Sequence, residues 1–295
     1  MANRERRNPA GAPGPWFVDD TCIDCDASRQ CAPELFADRG GKSVLVRQPG
    51  TAEEVALVAR AMLICPTGSI GTTGALPPLD GLYPWELEDG VFICGFNAAD
   101  SFGANAFFAR RPDGNLMVDS PRFVRRLVRA LEEMGGLAEI LLTHRDDVAD
   151  AERFAAHFGA RTWIHEQDAG AAPFAGERIR GSEPHTIRPG LVAIPAPGHT
   201  RGSVVYHLED RFLFTGDSLH YSREQGELSA FRSVCWYSWA EQTRSLARLE
   251  DLRFEWVLAG HGDRRRAPAA WMQASLRRLV ARMESEPAAS WDDAW

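Results

Sequence analysis

The stretch Leu191-Val-Ala-Ile-Pro-Ala-Pro-Gly-His199-Thr200-Arg-Gly202 sets the reading of the fold. An apolar run of this kind is a buried strand, and the Pro-Gly that follows stops it and leaves His199 on the turn beyond the strand end. The same arrangement recurs in Ile140-Leu-Leu-Thr-His144, Phe212-Leu-Phe-Thr-Gly-Asp217 and Trp256-Val-Leu-Ala-Gly-His261-Gly262. A single histidine at a strand end is usually a core or surface residue. Four strand ends carrying histidine or aspartate beside Gly or Thr are what a shared metal site needs, since strands aim the side chains and glycines leave room.

Working outward, short strands are expected at 91–94, 106–109, 115–118, 140–142, 162–164, 191–194, 203–208, 212–214 and 256–258. Glu209-Asp210 closes a hairpin between the seventh and eighth of these. Helices are expected at 121–133, where Phe123, Leu127, Ala130 and Leu131 share a face, and at 148–158 and 239–252. Strands interleaved with helices make the class α/β.

Over residues 83–267 the chain resembles the metallo-β-lactamase fold superfamily. The resemblance rests on Gly114-Asn-Leu-Met-Val-Asp119, Pro197-Gly-His-Thr-Arg-Gly202, Phe214-Thr-Gly-Asp217 and Ala259-Gly-His-Gly262. It implies an αββα sandwich with a metal pair at one edge. It also implies His199 as a ligand of the first metal, Asp217 as a bridge, His261 as a ligand of the second metal, and Asp119 as a supporting carboxylate. The first ligand motif departs from the superfamily pattern T-H-x-H-x-D-H, because this chain has Thr143-His144-Arg145-Asp146-Asp147-Val148-Ala149-Asp150. His144 matches, and Asp146 stands where the second histidine is expected and is the better ligand candidate. Val148 and Ala149 replace the aspartate and histidine that follow.

Asp150 has two readings. It substitutes for the missing aspartate and accepts a proton from metal-bound water, or Asp147 as N-cap and Asp150 at the third position simply start a helix. A carboxylate in place of an imidazole hardens the site toward iron or manganese relative to zinc. One divalent metal (zinc or iron), or an asymmetric pair, is expected on His144, Asp146, His199, Asp217 and His261. Asp217 holds the reactive water by its charge. His220 and Tyr221 either line the pocket or form a hairpin tip.

Four of the six cysteines crowd the first quarter of the chain: Cys22-Ile-Asp-Cys25, Cys31-Ala-Pro-Glu-Leu-Phe36 and Cys65-Pro-Thr-Gly-Ser-Ile70. In a chain whose first residues lack an export signal, such a cluster reads as metal or redox chemistry before disulfides. Residues 15–71 resemble a small α+β single-cluster ferredoxin-like domain. That resemblance implies a [4Fe–4S] or [3Fe–4S] cluster on Cys22, Cys25, Cys31 and Cys65. Ser28 occupies the usual third-ligand position and Cys31 lies three residues later. Three outcomes stay open: Cys31 completes the set, Ser28 ligates through oxygen, or the cluster is three-iron or absent. Cys94 and Cys235 read as small buried apolar residues.

Thirty-three basic and 41 acidic side chains give a formal charge of −8, which argues against a nucleic-acid-binding surface. No apolar run approaches the roughly 18 residues that a membrane span needs. The expected organisation is a mobile tail at 1–14, the ferredoxin-like domain at 15–71, a Gly/Pro-rich linker at 72–82, the metallo-β-lactamase-fold domain at 83–270 and a C-terminal helix and tail at 271–295. Arg264-Arg265-Arg266 reads as a solvated loop, the Trp-rich run 235–239 as core or interface, and the acidic end with Trp291 and Trp295 as docked or loose.

The expected activity is metal-dependent hydrolysis of a small ester, thioester or lactone in the cytoplasm. One rival is an iron-dependent redox enzyme fed by the ferredoxin-like domain, with a redox partner. The other is a non-catalytic redox sensor or binding protein with degenerate sites. The residues leave the substrate and the oligomeric state unread.

Overall fold

The apolar runs that precede the four candidate ligands are strands: Glu139–Leu141, Leu191–Pro195, Phe212–Gly216 and Trp256–Ala259. The structure, a computed structural model, describes residues 2–286, so Trp291 and Trp295 lie outside the described residues. The described residues form two compact units, one of residues 2–138 with 149–159 and the other of 139–148 with 160–286. The class is α/β, as the alternation of elements requires.

The first unit begins with two small antiparallel pairs, Trp16–Val18 with Ile70–Thr72 and Phe36–Asp38 with Ser43–Leu45. Helices Ala27–Cys31 and Ala52–Ile64 accompany them. The second helix starts on a capping Thr51, whose hydroxyl accepts from Glu54 N at 3.2 Å, and carries Glu53 and Glu54 in its first turn. It stops at Cys65-Pro66, because proline disfavours helical geometry in the residue before it. An antiparallel meander follows: Trp85–Glu88, Val91–Ile93, Phe107–Ala109 and Leu116–Val118.

Helix Arg125–Glu133 starts four residues later than the apolar spacing predicts. The amides that would open it are engaged elsewhere, Arg122 N with Phe96 O and Phe123 N with the Asp150 carboxylate. Helix Ala151–Phe158 closes on Gly159, which has φ 66° and takes the left-handed cap position that glycine favours.

The second unit holds three parallel strands, Glu139–Leu141, Arg161–His165 and Glu177–Ile179. It also holds a mixed six-stranded sheet in the order His185–Arg188, Leu191–Pro195, Val204–Leu208, Phe212–Gly216, Trp256–Ala259, Arg265–Arg266. Glu209 and Asp210 have φ of 54° and 50°, as a two-residue hairpin turn of the primed type requires. Val204–Leu208 is buried along its length, so both faces of the sheet are covered.

On one side, Tyr206 donates its hydroxyl to Leu142 O at 2.8 Å, which ties the sheet to the end of the first parallel strand. On the other side, helices Trp239–Ala247 and Ala269–Ser285 pack Trp239, Leu246, Met272, Leu276 and Leu279 against Ile194, Val205, Leu213 and Val257. The first of these helices ends five residues short of the expected 252, where tight turns through Leu249 and Leu252 replace it. No helix among the described residues is long and apolar enough to cross a membrane.

Candidate metal centre

The topology explains why the ligands meet. Leu191–Pro195 and Phe212–Gly216 are both antiparallel to the strand between them, and Trp256–Ala259 pairs parallel with Phe212–Gly216. All three therefore run the same way and deliver His199, Asp217 and His261 to one sheet edge. The loop after Glu139–Leu141 brings His144 to the same place, held there by Val204 N donating to Thr143 O at 2.8 Å.

Two ligand groups share Asp217. His144, His199 and Asp217 form one, and Asp147, Asp217 and His261 form the other, with the candidate ligand atoms of each group within 4.8 Å of one another. In the first group His144 Nε2 and His199 Nε2 lie 3.7 and 3.6 Å from Asp217 Oδ2. The two imidazole rings meet edge to face with centroids 4.7 Å apart. Asp146 Oδ2 stands 3.4 Å from His199 Nε2 and 3.8 Å from His144 Nε2. In the second group, His261 Nδ1 is 2.9 Å from both Asp217 oxygens, and its amide donates to Asp217 Oδ1 at 3.1 Å.

The donor set fits a cation. His144 Nε2 and both ring nitrogens of His199 are buried and have no hydrogen-bond partner among the described residues. Leaving a buried polar group unsatisfied costs about 1–3 kcal/mol, a cost that a bound metal removes. Thr143 Oγ1 lies 2.9 Å from His144 Nδ1, and accepting that proton leaves the Nε2 lone pair aimed at the centre. Burial, against the pull of Asp217, lowers the His144 pKa to about 4, so its imidazole is neutral near pH 7, the form that ligates. Burial pushes the Asp217 carboxyl up, but the imidazoles of His261, His144 and His199 outweigh it and hold the group well below the usual carboxylate range. The adjacent His199 imidazole likewise lowers Asp146.

The aspartates after His144 play roles other than those their spacing suggests. Asp147, read as a helix cap, joins the second ligand group. Asp150, read as a ligand or proton acceptor, is itself the N-cap residue of Ala151–Phe158 and is not among the gathered donors. Its Oδ2 accepts from Phe123 N at 2.7 Å and its Oδ1 faces Arg153 at 3.3 Å. The carboxylate is thus committed to the backbone and to its own helix. Asp119 is buried with φ 55° just beyond Leu116–Val118.

His220 belongs to the ribbon His220–Ser222/Glu227–Ser229, stacked on Phe231 at 3.8 Å rather than at a hairpin tip. Burial lowers its pKa to about 4. The basic run is not a plain loop, since Arg265–Arg266 forms the edge strand and Arg265 covers the Tyr221 ring at 4.7 Å.

One support carries no motif in the sequence, and a second is the glycine of a quoted motif. Buried Asp168 accepts from Thr200 Oγ1 at 2.5 Å, Arg145 N at 3.1 Å and Gly202 N at 3.3 Å, so it ties the loop after His144 to the loop after His199. Gly260 lies where a Cβ would stand 2.9 Å from both Asp147 Oδ2 and Asp217 Oδ1. Trp236, half exposed, presents its ring 6.2 Å from that of His199.

The cysteines divide as well. Cys22, Cys25 and Cys65 line one small cavity together with Ser28, whereas Cys31 is buried with Sγ 3.4 Å from the Tyr83 hydroxyl. Cys94 is fully buried, which raises its thiol pKa, and the Cys235 thiol donates to Gly198 O at 3.2 Å.

Comparisons with known proteins agree with this geometry. Residues 18–72 match the 4Fe-4S single cluster domain of ferredoxin I. A hydroxyacylglutathione hydrolase of Cereibacter sphaeroides is 40% identical over 100 residues, a match that spans 32% of this chain and only 38% of that enzyme. A probable metallo-hydrolase of Bacillus subtilis, YybB, is 28% identical over 168 residues, 47% of this chain and 73% of that protein. The crystal structure of DIM-1 metallo-beta-lactamase superposes with a TM-score of 0.50 at 17% identity, covering 68% of this chain and 95% of that one, a likeness of fold alone. Residues 86–265 match the metallo-beta-lactamase superfamily itself. With three histidines and two aspartates gathered at the strand ends inside that match, the chain belongs to the metallo-beta-lactamase superfamily and carries an N-terminal 4Fe-4S ferredoxin-like domain.

Proposed function

We propose that the chain is a metal-dependent hydrolase of a small thioester, ester or lactone. The observation that carries this reading is the pair of buried imidazole nitrogens that face the shared Asp217 without hydrogen-bonding it. A divalent metal bound there supplies a water of lowered pKa and polarises a carbonyl oxygen. The protein's own groups do the rest. Asp217, ionised, faces both ligand groups and biases an attacking water by charge. Asp146 is 43% exposed and ionised beside His199, so it can accept a hydrogen bond from that water at the open side of the centre. Trp236 offers an apolar face next to His199 for an acyl group. The hydroxyacylglutathione hydrolase likeness favours thioesters within the class. The carboxylates of Asp147 and Asp217 beside the three imidazoles suit iron or manganese as well as zinc.

A second reading, iron at the same centre with electrons arriving through the ferredoxin-like domain, is favoured by the thiol-lined cavity around Cys25. The two readings separate on metal analysis of anaerobically purified protein combined with turnover of acyl thioesters, aryl esters and lactones. Hydrolysis that is lost with the metal in His199→Ala supports the hydrolase. A His199→Ala protein that keeps its metal content removes His199 from the centre and overturns the reading. Metal-replete protein that turns over none of these substrates, but is reduced and reoxidised at the centre, favours the redox enzyme.

A further inference from the structure

The spacing of the first cysteines leaves the fourth corner of a cluster undecided, and the packing around helix Ala27–Cys31 decides it. The cavity walled by Val18, Ile23, Pro66 and Ile70 exposes Cys22, Cys25, Cys65 and Ser28 to its interior. Cys31 is not part of that wall. It follows Ser28 by three residues, about 4.5 Å farther along the helix axis at ~1.5 Å per residue. There its Sγ meets the Tyr83 hydroxyl at 3.4 Å, and the same hydroxyl lies 3.4 Å from Arg60 O, so the thiol is packed into a different contact.

Two of the three cavity sulfurs accept a backbone amide. Ser43 N donates to Cys22 Sγ at 3.4 Å and Ser69 N to Cys65 Sγ at 3.3 Å, while at Cys25 burial pushes the thiol up to about 12 against the opposing pull of the Ala27 amide. Amide donors aimed at sulfur stabilise thiolates and tune iron–sulfur clusters. Gly103, at φ 85°, passes so close that a Cβ there would stand 2.8 Å from Cys25 Sγ, and this covers the cavity with backbone. The donor chemistry therefore suits an iron–sulfur cluster, with one oxygen where a fourth sulfur is usual.

We propose that this cavity holds its cluster on three thiolates, Cys22, Cys25 and Cys65, with the Ser28 hydroxyl facing the fourth iron and Cys31 taking no part. Each cysteine thiol gives its proton to solvent as it binds iron. An iron at the Ser28 corner would lack a thiolate, so a four-iron cluster bound by Cys22, Cys25 and Cys65 would be open to one-electron oxidation by dioxygen with loss of that iron as a ferrous ion, leaving a three-iron cluster.

The test uses the full chain, reconstituted anaerobically with ferrous iron and sulfide. The cluster is followed by visible absorbance, acid-labile sulfide and low-temperature electron paramagnetic resonance before and after brief air exposure. Acid-labile sulfide does not count iron held at the histidine–aspartate centre, and the resonance of a three-iron cluster is distinct from that of a ferric ion bound there. Cys31→Ser and Cys31→Ala should assemble and lose the cluster as the parent does, while Cys65→Ser should lose it. The parent should convert in air to a paramagnetic three-iron species, and Ser28→Cys should resist that conversion. Loss of the cluster in both Cys31 variants, with the far-ultraviolet dichroism of the fold retained, would overturn the assignment. So would a Ser28→Cys protein that converts as fast as the parent, or a parent chain that assembles no cluster.

Discussion

Gly260 has no side chain because two carboxylates take up the space that one would fill, with Asp147 Oδ2 and Asp217 Oδ1 both 2.9 Å from the position of its absent Cβ. A Gly260→Ala variant must move one carboxylate or the other. We expect a fall of tenfold or more in metal affinity, about 1.4 kcal/mol or greater, measured by titration of the apo-protein with a metal-competing chelator. Asp168 acts at one remove, since it touches Thr200, Arg145 N and Gly202 N rather than a ligand atom. Supports of this kind typically contribute 10–100-fold in metal affinity. Asp168→Asn keeps the shape but loses charge-assisted acceptance, so we expect a loss in that range, with a shift in the metal's electronic spectrum that simple destabilisation would not produce.

Asp147 and Asp168 mark the limit of legibility at this scale. His144, His199, Asp217 and His261 could be read because each ends an apolar strand beside Gly or Thr. Asp147 could not, because Asp-x-x-Asp ahead of an amphipathic stretch is also the pattern of a helix start, and a shift of three residues decides which aspartate caps. The structure gives the cap to Asp150 and the centre to Asp147. Asp168 lies in a segment without periodicity, and only the three-dimensional approach of two loops gives it a role.

At the scale of elements, the centre depends on three parallel strand directions in one sheet, and that sheet depends on the helices that cover it. Strongly apolar strands such as Val204–Leu208 were legible because burial on both faces demands uninterrupted apolar residues. The strands Glu177–Ile179 and His185–Arg188 were not legible. They are polar, half-exposed edge segments, formed by pairing with a neighbour rather than by their own pattern. Helix limits were misjudged for a related reason, since the amides of Arg122 and Phe123 bond outside the helix that their apolar spacing suggests. The helix Ala269–Ser285 contributes Met272, Leu276 and Leu279 to the core under the sheet. Leu276 is fully buried there, and Leu276→Ala should cost about 2–5 kcal/mol of stability in denaturant titrations. Metal stoichiometry at low temperature should be retained, because the substitution touches the sheet's support and not its ligand-bearing edge.

For the molecule as a whole, the clustering of Asp146, Asp147 and Asp217 carries a repulsive cost that the neighbouring imidazoles reduce and a bound cation would reduce further. In the metal-free state, Asp147 and Asp217 bring like charges within 4.8 Å of each other, which opposes folding. Metal binding to the native state alone should stabilise it by about 2.7 kcal/mol at a free concentration 100-fold above the dissociation constant. For a domain of this size that corresponds to a rise in Tm of about 5–10 °C. Asp147→Asn separates ligation from packing, because it removes one negative charge while keeping the volume. If Asp147 serves the cation, the variant should melt at a higher temperature than the parent when both are metal-free, and should gain less on metal addition. A purely structural aspartate predicts the opposite order, with the metal-free variant less stable and the metal-induced increment unchanged. Scanning calorimetry of both proteins, with chelator and with added metal, distinguishes the two by the sign of the metal-free difference.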